Sequence, residues 1–154
     1  MSVTKDYRYS VGVDWEGERL TSVTSSGKPE LEVATPPEFK GGLAGVWSPE
    51  DLLVAAVASC FALTLVAVLE RRDLPLRELD VTGTGHVTKR DDGRFGFVAI
   101  ELTARVETEA AAVDAVRHAA SYAERACLVS MALDVPVHVD LVVRPAPRPL
   151  EVVA

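Results

Sequence analysis

Residues 48–72 read Ser-Pro-Glu-Asp-Leu-Leu-Val-Ala-Ala-Val-Ala-Ser-Cys-Phe-Ala-Leu-Thr-Leu-Val-Ala-Val-Leu-Glu-Arg-Arg, and this stretch decides the fold. Ser48 suits an N-cap, Pro49 fits the first helical position, and Glu50 and Asp51 face the positive end of a helix dipole. Arg71 and Arg72 suit its C-terminus. Between them, Leu52 to Leu69 carries no charge over eighteen residues, and its only polar side chains besides the thiol of Cys60 are Ser59 and Thr64. A helix of about 22 residues is roughly 33 Å long, the diameter of a small domain. By length it reaches the threshold of a membrane span. Five alanines, the acids at both flanks and the amphipathic strands around it argue instead for a core helix buried on all sides. One sheet from a chain of this size covers one face of such a helix. A second copy covering the other predicts a homodimer with an apolar interface.

Outward from the helix, the pattern has period two. Tyr7, Tyr9, Val11, Val13 and Trp15 alternate with polar residues and predict a half-buried strand. Leu20 to Thr24 and Glu30 to Ala34 follow as further strands, split by Ser25-Ser26-Gly27-Lys28-Pro29. The segment from Thr35 to Trp47 holds two prolines and three glycines, a loop of the length that is often functional. Beyond Pro75, Leu79 to Lys89 and Arg94 to Glu107 predict a long hairpin, with Val98, Ile100, Leu102, Ala104 and Val106 on its dry face. Thr108 is expected to cap a second helix reaching Ala126, with Val113, Val116, Ala120 and Ala123 on one stripe, and Val135 to Val143 to close the chain as a strand. Runs of strands between helices give an α+β fold with antiparallel sheets packed on the long central helix. The expected organisation is one domain over residues 1–144, then a loose Pro-rich tail over 145–154.

Composition narrows the function. The 154 residues include 16 Lys+Arg against 23 Asp+Glu, a net charge of −7, with 48% apolar residues. No basic cluster is available to neutralise several phosphates, which argues against nucleic-acid binding. Cys60 and Cys127 are the two cysteines, and neither belongs to a ligand cluster, so neither a disulfide scaffold nor a metal site is expected. The first residues lack the apolar core of a signal peptide, and a reducing, cytoplasmic setting is expected. His86, His118 and His138 are scattered and not at ligand spacing. Gly83-Thr84-Gly85 lies inside a strand pattern and marks close packing or a bulge rather than a nucleotide loop.

Each cysteine alone fits a structural role, and each is also a potential nucleophile. Cys60 lies 10 residues beyond Glu50, about 15 Å along a helix, so the two meet only through a third group or a partner chain. Such a group is expected to be cationic, since a thiolate in an apolar site needs a positive neighbour.

Ser48-Pro49-Glu50-Asp51-Leu52-Leu53 followed by Ala56-Val57-Ala58-Ser59-Cys60-Phe61, and then Cys127-Leu128-Val129-Ser130-Met131-Ala132-Leu133, resembles the signature of the OsmC/Ohr family of thiol peroxidases. The Thr35-Pro36 loop with Gly41-Gly42 fits as well, and the resemblance covers about residues 5–144. It implies an OsmC-like fold in an intertwined homodimer with two interface sites and no cofactor. In it Cys60 is peroxidatic, attacking an organic hydroperoxide, and Cys127 is resolving, closing an intramolecular disulfide. Glu50 is implied to orient an arginine that stabilises the thiolate and binds the peroxide. Arg19, in Gly17-Glu18-Arg19, is the candidate, with Arg125 and Arg8 as substitutes. The family's Gly-Gly-Arg type turn is altered here, and Leu128 stands where many members carry proline. An external dithiol, such as a dihydrolipoyl protein, is the implied reductant. An apolar pocket drawing on Phe39, Leu43, Trp47, Phe61, Leu128 and Met131 favours lipid or aryl hydroperoxides. The alternative reading is a non-catalytic dimer of the same fold that binds a hydrophobic ligand or senses redox state, the same six residues then serving as ligand lining or simply as core.

Overall fold

In the computed structural model, which describes residues 4–147, contacts group the chain into two compact units, Met1–Leu52 and Leu53–Ala154. The first holds an antiparallel meander of β1 (Gly12–Gly17), β2 (Leu20–Thr24) and β3 (Leu31–Ala34), in that spatial order. Gly17 and Glu18 both take positive φ, 112° and 47°, and turn the chain from β1 into β2. This backbone twist matches the twist of the flanking strands. The strand predicted from Tyr7 starts only at Gly12, and the alternating apolar face does not become half-buried. Tyr9 is 93% and Trp15 75% exposed among the described residues.

Helix α1 (Pro49–Arg71) opens with the expected cap. Ser48 Oγ accepts from the Asp51 amide at 3.0 Å, while the Ser48 amide donates to Asp51 Oδ2 at 2.9 Å, a reciprocal capping box. Within α1, Val57, Phe61, Leu65, Val68 and Leu69 are buried, a stripe at intervals of three and four. Ser59, Leu63, Ala67 and Glu70 form the opposite, exposed stripe, so burial on all sides is not met within one chain.

The second unit contains β4 (Glu78–Lys89), β5 (Phe95–Thr108) and β6 (Val137–Pro145), with α2 (Val113–Ala126) and α3 (Leu128–Met131) between the last two strands. The sheet order is β4-β5-β6. β4 and β5 form the predicted antiparallel hairpin, but β5 and β6 run parallel, so this sheet is mixed. A parallel neighbour requires a crossover, and α2 with α3 supplies it. The core gathers Val57, Phe61, Leu65, Ile100, Leu102, Val106, Val116 and Cys127 with their neighbours.

Local corrections follow from this packing. A register shift at His86/Val87 makes Val98 the extra residue of β5, and it turns outward while Phe97 packs on the core. Thr108 is not a helix cap; it ends β5, and its buried hydroxyl donates to the Pro75 carbonyl at 2.6 Å. A 3₁₀ turn over Ala110–Ala112 then leads into α2. Pro145, expected to begin the tail, closes β6; residues 148–154 of that tail lie outside the described residues.

Candidate functional site

In the first unit, the hairpin turn and the Pro-Gly loop build a pocket of about 420 Å³ lined by Arg19, Thr35, Pro36, Phe39, Lys40, Pro49 and Glu50. The Thr35 amide donates to the Arg19 carbonyl at 3.1 Å, and the Leu43 amide donates to the Thr35 carbonyl at 3.0 Å, tying both walls together. Gly41, at φ 80°, lies under the arginine: a Cβ there would stand 3.1 Å from Arg19 Cγ. Glycine at this position thus gives the Arg19 side chain its seat. Gly42 is more tightly constrained, since a Cβ would stand 2.0 Å from the Pro36 carbonyl oxygen. Glu50, in the first turn of α1, has a buried Oε2 with no hydrogen-bond partner. A carboxylate oxygen withdrawn from water without a donor is costly, so this atom calls for one. Arg19 and Lys40 are the cations lining the same pocket.

In the second unit, Cys60 is partly exposed on α1 and Cys127 is buried at the junction of α2 and α3; both are free thiols. Burial pushes the Cys60 thiol up, but donors outweigh it. The Val129 amide, the Cys127 thiol, the Thr64 hydroxyl and the Leu128 amide donate to its sulfur and hold it below the ordinary thiol value. Cys127 in turn accepts from Ser130 Oγ at 3.2 Å. The two thiols thus lie near each other, the Cys127 side chain being one of the groups that lower Cys60, with no disulfide between them. Such a pair supplies a nucleophile and a second thiol able to attack it once oxidised.

Other candidates fall in different surroundings. Phe39 lines the Arg19 pocket, while Phe61 is 1% exposed and belongs to the core. Leu128 and Met131 are exposed at 76% and 68%, Trp47 is half-exposed, and Leu43 is partly buried. Arg8 pairs with Asp6 at 2.8 Å on the surface, and Arg125 is exposed at the end of α2. The three histidines are exposed, His86 lying 3.3 Å from Glu101. Sequence reasoning gave no role to Lys40, Thr64 or Ser130. Thr64 was legible at four residues past Cys60 and Ser130 at three past Cys127, the spacings at which helical side chains meet.

An α+β chain with one free thiol on its long helix and a second beside it is a dithiol protein. Residues 42–142 match the family described as OsmC-like protein, and the chain belongs to that family. Cys60, Cys127 and Glu50 lie inside the matched region, and Arg19 outside it. The chain is 27% identical over 143 residues to the uncharacterized protein YmaD of Bacillus subtilis (strain 168), spanning 88% of this chain and 93% of that protein. An organic hydroperoxide resistance protein from Elizabethkingia anophelis, solved with thiocyanate bound, is similar at 25% identity. The match has a TM-score of 0.74 and covers 94% of this chain and all of that one. An OsmC-like protein of unknown function from Vibrio cholerae shares the fold, with a TM-score of 0.81 at 14% identity, over 89% of this chain and 100% of the other.

Proposed function

We propose that this protein is a cysteine-based thiol peroxidase that reduces organic hydroperoxides to alcohols. The observation that carries the reading is the Cys60 thiol held below the ordinary value, with the free Cys127 thiol among the groups that lower it. The Cys60 thiolate attacks the terminal peroxide oxygen. An S–O bond forms, the O–O bond breaks, and the alkoxide leaves as an alcohol after taking a proton. In this reading Arg19, oriented by Glu50, binds the peroxide and steadies the departing alkoxide. The unpartnered Glu50 Oε2 in a pocket shared with Arg19 supports that pairing. Cys127 then attacks the sulfenic acid of Cys60, forming a disulfide and releasing water. An external dithiol, with a dihydrolipoyl protein as the proposed source, returns both thiols. Phe39 and the exposed Leu128 and Met131 supply apolar surface for a lipid or aryl hydroperoxide.

The proposed working state is a cytoplasmic homodimer of a single-domain chain. The exposed Tyr7-Tyr9-Val11-Val13-Trp15 stripe and exposed Leu63 support a second copy as their cover, since monomers seldom leave such surface bare. The test is the intact mass and free-thiol count of reduced protein after one equivalent of cumene hydroperoxide. Wild type is expected to lose both thiols. Cys127→Ser is expected to accumulate a trappable sulfenic acid at Cys60, and Cys60→Ser to remain unreacted. Survival of both wild-type thiols in excess peroxide overturns the reading in favour of a ligand-binding dimer.

A further inference from the structure

The mechanism above leaves one polar contact unused. Ser130 Oγ donates to Cys127 Sγ at 3.2 Å, and Cys127 is completely buried. A sulfur withdrawn from water must have its developing negative charge steadied by protein donors when it acts as a nucleophile. The Met131 amide donates to the Cys127 carbonyl at 3.0 Å, closing the turn that carries Ser130 back over the sulfur. The hydroxyl is thus aimed by backbone geometry and one side-chain torsion. Cys60 packs against the core cluster that holds Cys127, and the Cys127 side chain acts on its thiol, so the donor Ser130 and the atom to be attacked both neighbour the Cys127 sulfur.

We propose that Ser130 is a catalytic residue of the resolving step, its O–H steadying the Cys127 sulfur as that sulfur gives up its proton and attacks Cys60. The inference rests on the peroxidase reading for the physiological electrophile, the sulfenic acid of Cys60. In that step the electron pair of Cys127 forms the S–S bond and the S–O bond of Cys60 breaks. The hydroxide leaves as water with the proton from Cys127; the Cys127 sulfur is oxidised and the Cys60 sulfur reduced to the disulfide level. Ser130 keeps its own proton throughout, and its hydrogen bond shortens and strengthens as charge builds on the acceptor.

The test uses a chromogenic aryl disulfide on the reduced full-length protein, which needs no peroxide. Attack by Cys60 releases one aryl thiolate and leaves a mixed disulfide; attack by Cys127 on that mixed disulfide releases the second. Ser130→Ala is expected to leave the first release unchanged and to slow the second about tenfold, the range of one hydrogen bond to a charged group. Ser130→Thr, which keeps the hydroxyl, is expected to restore the second release. A second release at the wild-type rate in Ser130→Ala overturns the proposal, as does equal slowing of both releases or no rescue by threonine. Failure of the peroxidase reading looks different: both wild-type aryl thiolates are released, yet both thiols survive cumene hydroperoxide.

Discussion

At the scale of single residues, the chemistry turns on who donates to which atom. Cys60 sits below the ordinary thiol value because the Val129 and Leu128 amides and the Cys127 and Thr64 side chains together outweigh burial. A lowered value means that the reactive thiolate appears at lower pH, so the alkylation rate should rise with pH to a plateau whose midpoint lies below that of an ordinary cysteine. Thr64→Val removes one donor and is expected to move the midpoint upward, as read by iodoacetamide kinetics across a pH series. An unmoved midpoint would count against the Thr64 contact. Arg19→Met and Glu50→Gln are each expected to lower the peroxide reaction rate about 10²-fold, the usual effect of removing a preorganised donor or its support. Both variants should leave alkylation of unfolded protein unchanged. Gly41→Ala, which forces a side chain against Arg19 Cγ, is expected to slow the peroxide reaction in the same direction. Cys60, Cys127 and Glu50 were legible as candidates from their motifs. The donors to Cys60 from α3 were not, because α3 follows α1 in sequence by more than fifty residues and only folding brings them together.

At the scale of elements, helix α1 and the hairpin β4-β5 depend on two small features. The Ser48–Asp51 capping box satisfies donors at the start of α1. Asp51→Ala is expected to cost about 1 kcal/mol, measured by urea unfolding. Gly85 of β4 approaches α1 so closely that a Cβ would stand 2.7 Å from Val54 Cγ2 and 2.5 Å from Phe97 Cε1. Gly83 is similar, with a Cβ 2.9 Å from Val54 Cγ1. Gly85→Val is therefore expected to destabilise by about 1–3 kcal/mol through overpacking, and a denaturation midpoint equal to wild type would refute the close approach. Period two and the Gly-Thr-Gly spacing made β4 and its close packing readable. The outward turn of Val98 was not readable, since the register shift depends on β4 and β5 pairing across the whole hairpin.

At the scale of the whole molecule, exposed apolar surface calls for a cover. Leu63 on α1, 69% exposed, and Trp15 on β1 suit a subunit interface better than solvent. Light scattering is expected to give a dimer, and Trp15→Glu or Leu63→Glu to shift it toward monomer as concentration falls; a wild-type monomer would refute the expectation. The amino-acid sequence by itself determined the long helix and its ends, the six strands to within a few residues at most ends, and the two candidate thiols. Caps, charge placement and hydrophobic period act over one or two turns of chain, so they are written locally. Tertiary structure alone decided that β6 runs parallel to β5, that Thr108 bonds Pro75 instead of capping a helix, and that Cys60 is surrounded by donors from α3. Those outcomes are contacts between residues distant in sequence, fixed by which packing buries the core and satisfies its polar groups together.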